Sequence, residues 1–130
     1  MYDIETFNYG YKLTFSGMIK EEEMTQWLLD CDEILKNKIN SFHVFVDMRE
    51  LKVLDHVSKN FMKMGQNLFK RRGMIRSVVI CDSLITTMQF KRIAKETGIY
   101  EWERYIDSSS SLDFRKIGME WLLNKTDPDN

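Results

Sequence analysis

Two short runs decide most of what this chain can become. Residues 42–47 read F-H-V-F-V-D, and residues 77–82 read S-V-V-I-C-D. Both are nearly continuous in apolar, mostly β-branched side chains instead of alternating. Runs of that kind suit strands buried on both faces, which means parallel strands with helices over them. The segment between them supplies a helix. Residues 55–72 carry Val57, Phe61, Met64, Gly65 and Leu68 as one stripe, and Gly73 follows as the stop. Strand, helix and strand in that order require a right-handed crossover and a largely parallel sheet.

The flanking chain extends the pattern. Residues 2–8 and 9–16 alternate as two strands about a turn at Asn8, Tyr9 and Gly10. Residues 20–38 form a helix with Met24, Trp27, Leu28, Cys31, Ile34 and Leu35 on one face and three glutamates in the first turn. Thr86 and Gln89 have capping-box spacing, and the helix they open runs to Thr97 with Phe90, Ile93 and Ala94 inward. Residues 102–107 alternate like an edge strand. Ser110 and Asp113 open a last helix with Phe114, Ile117, Gly118, Trp121 and Leu122 as its stripe. The expected fold is α/β: an N-terminal β-hairpin, then alternating helices and strands in a mixed, largely parallel sheet covered by four helices. One domain spans 1–125, with 126–130 as a frayed tail.

Composition narrows the class. The 130 residues include 16 aromatics and carry a net charge of −1, so the chain can build a core and is not disordered. No apolar run approaches the roughly 18 residues of a membrane span, and the start, M-Y-D-I-E, is not that of a signal peptide. Cys31 and Cys81 have no C-x-x-C partner and read as buried free thiols in a reducing, cytoplasmic setting. His43 and His56 have no ligand spacing, so neither a metal nor a cofactor is expected. Lys59, Lys63, Lys70, Arg71, Arg72 and Arg76 form a stretch without acids. Aromatics are not spaced among them as in a single-strand binder, so nucleic acid is not an expected partner.

Candidate chemistry gathers at the strand ends. Asp47, Asp82 and Asp107 each close an expected strand, and open α/β sheets bind ligands outside those carboxyl ends. Three converging carboxylates there would hold Mg²⁺ or accept phosphate, the route to a hydrolase or phosphotransfer enzyme. Capping and turn formation is the plainer use of Asp and Ser at such places. No glycine-rich phosphate loop and no G-x-S-x-G elbow is present, so an enzyme is not the expectation. Ser83, Thr86 and Thr87 sit where a helix start stabilises an anion. Together with Asp82, Arg71 and Arg72 they are the anion- or ligand-binding candidates.

The stretch V-F-V-D-M-R-E-L-K-V-L-D-H-V-S, the later R-R-G and R-S-V-V-I, the pairs Asp82-Ser83 and Trp121-Leu122, and Tyr105-Ile106-Asp107 resemble the STAS superfamily of SpoIIAA-like domains. They are closest to its bacterial STAS/SEC14-type group. The likeness runs from about Tyr11 to Leu123. It implies a non-catalytic regulatory module that binds a protein partner. Antagonists of that superfamily carry a phosphorylated serine after the stretch matching Asp47 to Asp55. That position is His56 here, with Ser58 two residues on, a departure from the phosphoserine switch. The implied partner surface is Asp47, Arg49, Asp55, His56 and Ser58. The STAS/SEC14 side implies an alternative, a groove for an apolar, lipid-like ligand lined by Met62, Met64, Met74, Met88, Phe61, Phe69 and Phe90. A homodimer through residues 102–107 or the N-terminal hairpin is a further option.

Overall fold

The computed structural model describes residues 1–38, 40–53 and 55–130. Its elements are β1 (Tyr2–Phe7), β2 (Gly10–Met18), α1 (Glu21–Leu35), β3 (Phe42–Val53), α2 (His56–Arg71), β4 (Met74–Cys81), α3 (Leu84–Thr97), β5 (Glu103–Asp107) and α4 (Phe114–Asn124), with a 3-10 turn at Ile99–Glu101. The strands lie in the order β1-β2-β3-β4-β5. β1 pairs with β2 antiparallel, and every later pair is parallel. This is the expected mixed α/β sheet with four helices. No helix among the described residues is long and apolar enough to cross a membrane.

The two apolar runs are buried on both faces because helices cover both. Tyr11, Leu13, Phe15, Val44, Val46 and Val79 pack with buried residues of α1, α2 and α3 on one face. Phe45, Val78, Ile80 and Ile106 pack on the other face against Phe114, Trp121 and Leu122 of α4. Alternate residues of β3 and β4 therefore serve two separate clusters, the arrangement that a continuous apolar strand needs.

Helix phase departs from the expected stripes. In α2, Val57 and Met64 are exposed, while Ser58, Gly65, Leu68 and Phe69 are buried. The reason is the neighbouring helix. Trp27 of α1 lies edge-on to Phe15, ring centroids 5.4 Å apart. Its indole also fills the space over Gly65, where an added Cβ would stand 2.1 Å from Cη2. Gly65 must face α1, and that turns Val57 and Met64 outward. Ile34 of α1 and Ile93 of α3 are likewise exposed. The helix starts shift too. Asp55 caps α2 by accepting the Ser58 N–H at 2.7 Å. Ser83, not Thr86, caps α3 by accepting the Thr86 N–H at 3.2 Å. Asp113 precedes α4 without a side-chain cap, and Ser110 donates to Asp107 instead.

Two edges differ in availability. All five residues of β5 are buried, so Glu103 and Arg104 point into the molecule instead of blocking a strand partner. Arg104 pairs with Asp127 at 2.9 Å, and its guanidinium lies 3.7 Å from the Tyr100 ring centroid and 4.2 Å from that of Trp121. Residues 126–130 carry no helix or strand, yet Asp129 also meets Lys91 at 2.7 Å and accepts from Tyr100. β1 is the edge whose side chains remain largely exposed.

Gly65→Ala tests the α1–α2 contact. Alanine is the better helix former by about 1 kcal/mol, so propensity alone predicts stabilisation. The expected outcome in urea denaturation is instead a loss of about 1–3 kcal/mol from overpacking. Adding Trp27→Phe, which removes the clashing ring edge, should recover part of that loss.

Candidate functional site

The sequence places most candidates at the carboxyl edge of the sheet, where β2, β3, β4 and β5 end and α2, α3 and α4 begin. β3 does not stop at Asp47 as expected. It continues to Val53 beside β2 across an irregularity between Thr14 and Ser16. Asp47 stitches this break. Its Oδ1 accepts the Arg49 backbone N–H at 3.1 Å and Nε–H at 3.0 Å, and Oδ2 accepts Nη2–H at 2.8 Å. The guanidinium lies 4.7 Å from the Phe114 ring centroid, which joins β3 to α4. Burial alone would raise the Asp47 carboxyl. The hydrogen bonds from Arg49, its charge and that of Lys12 outweigh burial and hold it below its ordinary value.

The other candidates are mostly engaged in capping. Asp55 is held below its ordinary value first by the Ser58 N–H. Ser58 is fully buried, and its hydroxyl donates to the Ile19 carbonyl at 3.3 Å. A kinase would have to unwind the start of α2 to reach it. His56 is exposed beside it. Thr87 is buried and donates to the Ser83 carbonyl at 2.7 Å. Asp107 accepts the Ser109 N–H at 2.9 Å, the Ser109 hydroxyl at 2.6 Å and the Ser110 hydroxyl at 3.1 Å. Asp82 is exposed, with the Ser108 hydroxyl 3.5 Å away.

The three aspartates are thus committed one by one to local partners or to solvent. Among the described residues no three metal-ligating side chains converge. The three-carboxylate arrangement behind the enzymatic alternative is not formed, because Asp47 lies within a strand and Asp107 turns back on its own loop. Arg71 and Arg72 are also separated from the rest. They end α2 at the amino edge, roughly 24 Å from His56 for a helix of 16 residues. Arg72 pairs there with Asp32 at 2.8 Å, and Arg71 is exposed.

Two further features bear on the site. One is an apolar rim on the carboxyl edge. Met18, Leu84, Ile85, Met88 and Leu112 are all exposed there, Ile85 at 70% and Leu112 at 98%. Leu112 lies in no periodic stripe, which was the available signal. The other is a cavity of about 60 Å³ between the sheet and α2, lined mainly by apolar side chains that include Phe15, Trp27, Val46, Met48 and Met62. Of the expected groove residues, Met62, Met74 and Phe69 line it. Met64 and Met88 are exposed elsewhere, and Phe61 and Phe90 pack against the core. The volume is far below the roughly 300–1,000 Å³ of small-molecule sites, so a lipid acyl chain does not fit it.

Glu103 of β5 closes one end of this space. It is 2% exposed. It accepts from the Ser77 hydroxyl at 2.5 Å, from the Gln66 amide at 3.1 Å and from the Tyr105 hydroxyl. Burial raises its carboxyl, and those three donors only partly offset the effect. The clue in the sequence was Ser77, a polar residue opening a run buried on both faces, where a hydroxyl requires a partner.

The fold has a known counterpart. The chain superposes on an uncharacterized protein of the DUF3478 family from Shewanella loihica PV-4, described as having a SpoIIAA-like fold. The TM-score is 0.63 over 94% of this chain and 92% of that chain, at 14% identity. The fold is therefore SpoIIAA-like, and the resemblance read from the motifs holds at that level. No protein-family model and no curated protein matches the sequence.

The Asp47–Arg49 pair makes a pH prediction. A folded-state carboxyl below its unfolded value contributes stability that is complete above about pH 4, the unfolded range. That contribution is lost as pH falls through the folded value. Asp47→Asn should lower stability at pH 7 by about 1–3 kcal/mol. Denaturation curves of variant and wild type should converge as pH falls toward 3.

Proposed function

We propose that this domain is a non-catalytic regulatory module that docks a protein partner on the carboxyl edge of its sheet. The observation that carries the reading is the exposed apolar rim of Leu84, Ile85 and Leu112. These residues sit at the start of α3 and in the loop before α4. Two of the three, Leu84 and Ile85, follow the Ser83 cap and remain exposed. Large apolar side chains exposed on one edge beside polar residues fit an interaction surface.

His56 and Asp82, both exposed on the same edge, supply the polar border of the contact. Arg49 contributes through its fixed place between Asp47 and Phe114. Ser58, sealed beneath Ile19, takes no part in a phosphoserine switch. The setting we propose is cytoplasmic, supported by Cys31 and Cys81, both unpaired and buried. Burial pushes their thiols up to about 12 and about 11, which leaves them unreactive.

A photo-reactive side chain at position 85 of the full chain should give one discrete cross-linked protein in cells, identifiable by mass spectrometry. The same group at Asn8, on the amino edge, should not. Ile85→Glu with Leu112→Glu should abolish the adduct formed from position 88 while changing stability by less than about 0.5 kcal/mol, as for exposed sites. Equal cross-linking from positions 8 and 85 would remove the rim from consideration.

A further inference from the structure

Glu103, 2% exposed, is the most deeply buried acid among the described residues, and every partner it has among them is neutral. Ser77, Gln66 and Tyr105 donate to it, and no basic side chain is among the causes acting on its carboxyl. The nearby cations are committed elsewhere. Lys70 donates to the Met74 carbonyl at 3.2 Å and lies 4.9 Å from the Trp102 ring centroid. Arg104, next in sequence, serves the opposite face of β5 and pairs with Asp127. Ionising a buried carboxyl without a counter-charge is costly, and burial raises this one, so a cation placed beside it stabilises the charged form. Once ionised it has acceptor capacity in reserve, since a carboxylate offers about four acceptor positions and three donors reach this one.

The space beside Glu103 is apolar and narrow. Val46 and Val79 of the sheet form its floor and Phe69 of α2 its roof. Among its lining residues Met48, Met62 and Gln66 keep partial contact with solvent, so the mouth lies between β3 and α2. Trp27 also lines this space; its indole N–H, a donor without an acceptor among the described residues, cannot hold an ammonium but lies where it reports occupancy. An apolar cavity of about 150 Å³ holds benzene. At that packing, about 60 Å³ encloses roughly two or three non-hydrogen atoms, and the rest of a guest must leave through the mouth. The two methionines there are unbranched and adapt to what passes between them.

We propose that this space is a binding site for a small, unbranched primary alkylamine. Its ammonium group completes the Glu103 carboxylate, and its short chain lies against Val46 and Val79 and exits between Met48 and Met62. The carboxylate supplies selectivity for a cation over a neutral alcohol of the same length. The narrow floor excludes branched and aromatic amines. This site is separate from the rim on the carboxyl edge and stands or falls without it.

The test is an NMR titration of the ¹⁵N-labelled full chain at pH 7.5 with n-propylamine, n-propanol and tert-butylamine at matched ionic strength. The expected result is a saturable shift of the Trp27 indole and Ser77 amide signals with n-propylamine. Its affinity should be at least tenfold above that of n-propanol, with no saturation by tert-butylamine. Glu103→Gln keeps the shape of the side chain and should weaken n-propylamine binding at least tenfold. Should that variant fail to fold, Val46→Ile fills part of the floor with Glu103 intact and must weaken binding instead. The proposal is overturned by the absence of a saturable shift, by equal affinity for amine and alcohol, or by unaltered binding in whichever variant folds.

Discussion

The handedness of the strand–helix–strand connection governs this molecule more than any single contact. Strand order runs from β1 to β5 without reversal. Each right-handed crossover then carries its helix to the same side of the sheet, so α1, α2 and α3 share one face. Only α4, which follows the last strand, is free to cover the other. One helix shields only part of a five-stranded sheet. Accordingly the uncovered face of the hairpin is polar: Asp3 and Glu5 are exposed and Lys12 and Thr14 half-buried.

The same unreversed order explains where a ligand crevice is missing. Doubly wound sheets open a cleft where the strand order switches direction, because the helices diverge to opposite faces there. With no switch among β2 to β5, the carboxyl edge closes into capped helix starts and short loops. Its polar groups satisfy one another: Asp47 with Arg49, Asp55 with the start of α2, Ser83 with the start of α3, Asp107 with its own serines. What the edge leaves exposed includes the apolar Leu84, Ile85 and Leu112 beside His56 and Asp82. An apolar gap in the packing lies instead under α2, beside the contact of Trp27 with Gly65.

Most of the fold was legible along the chain because its determinants are local. A continuous apolar run of about six residues signals a strand covered on both sides, and the residues 42–47 and 77–82 became the centre of the sheet. Glycine stops and acidic first turns lie within a few residues of what they terminate or begin. The site was legible only in part. Asp55 and Ser83 cap α2 and α3, whereas capping-box spacing sets the start of α3 three residues late, at Thr86. Val57 and Met64 share a spacing with Gly65 that no local rule breaks; only the Trp27 ring decides which side of α2 faces inward. Glu103 and Arg104 lie in the run that alternates like an edge strand, yet both are buried. Their partners, Ser77, Gln66, Asp127 and Trp121, lie 17 to 37 residues away.

By itself the sequence determined the order and type of the elements, the parallel pairing of the double-buried strands and the absence of the common nucleotide and nucleophile motifs. These follow from side-chain type and period, which act over a turn or a strand. Tertiary structure decided the rest. It set the rotation of each helix about its axis and the inward direction of a glutamate and an arginine on β5. It also brought Ile85 and Leu112 to one edge. Each depends on a contact between segments far apart in the chain, and such a contact exists only once right-handed crossovers have stacked those segments together.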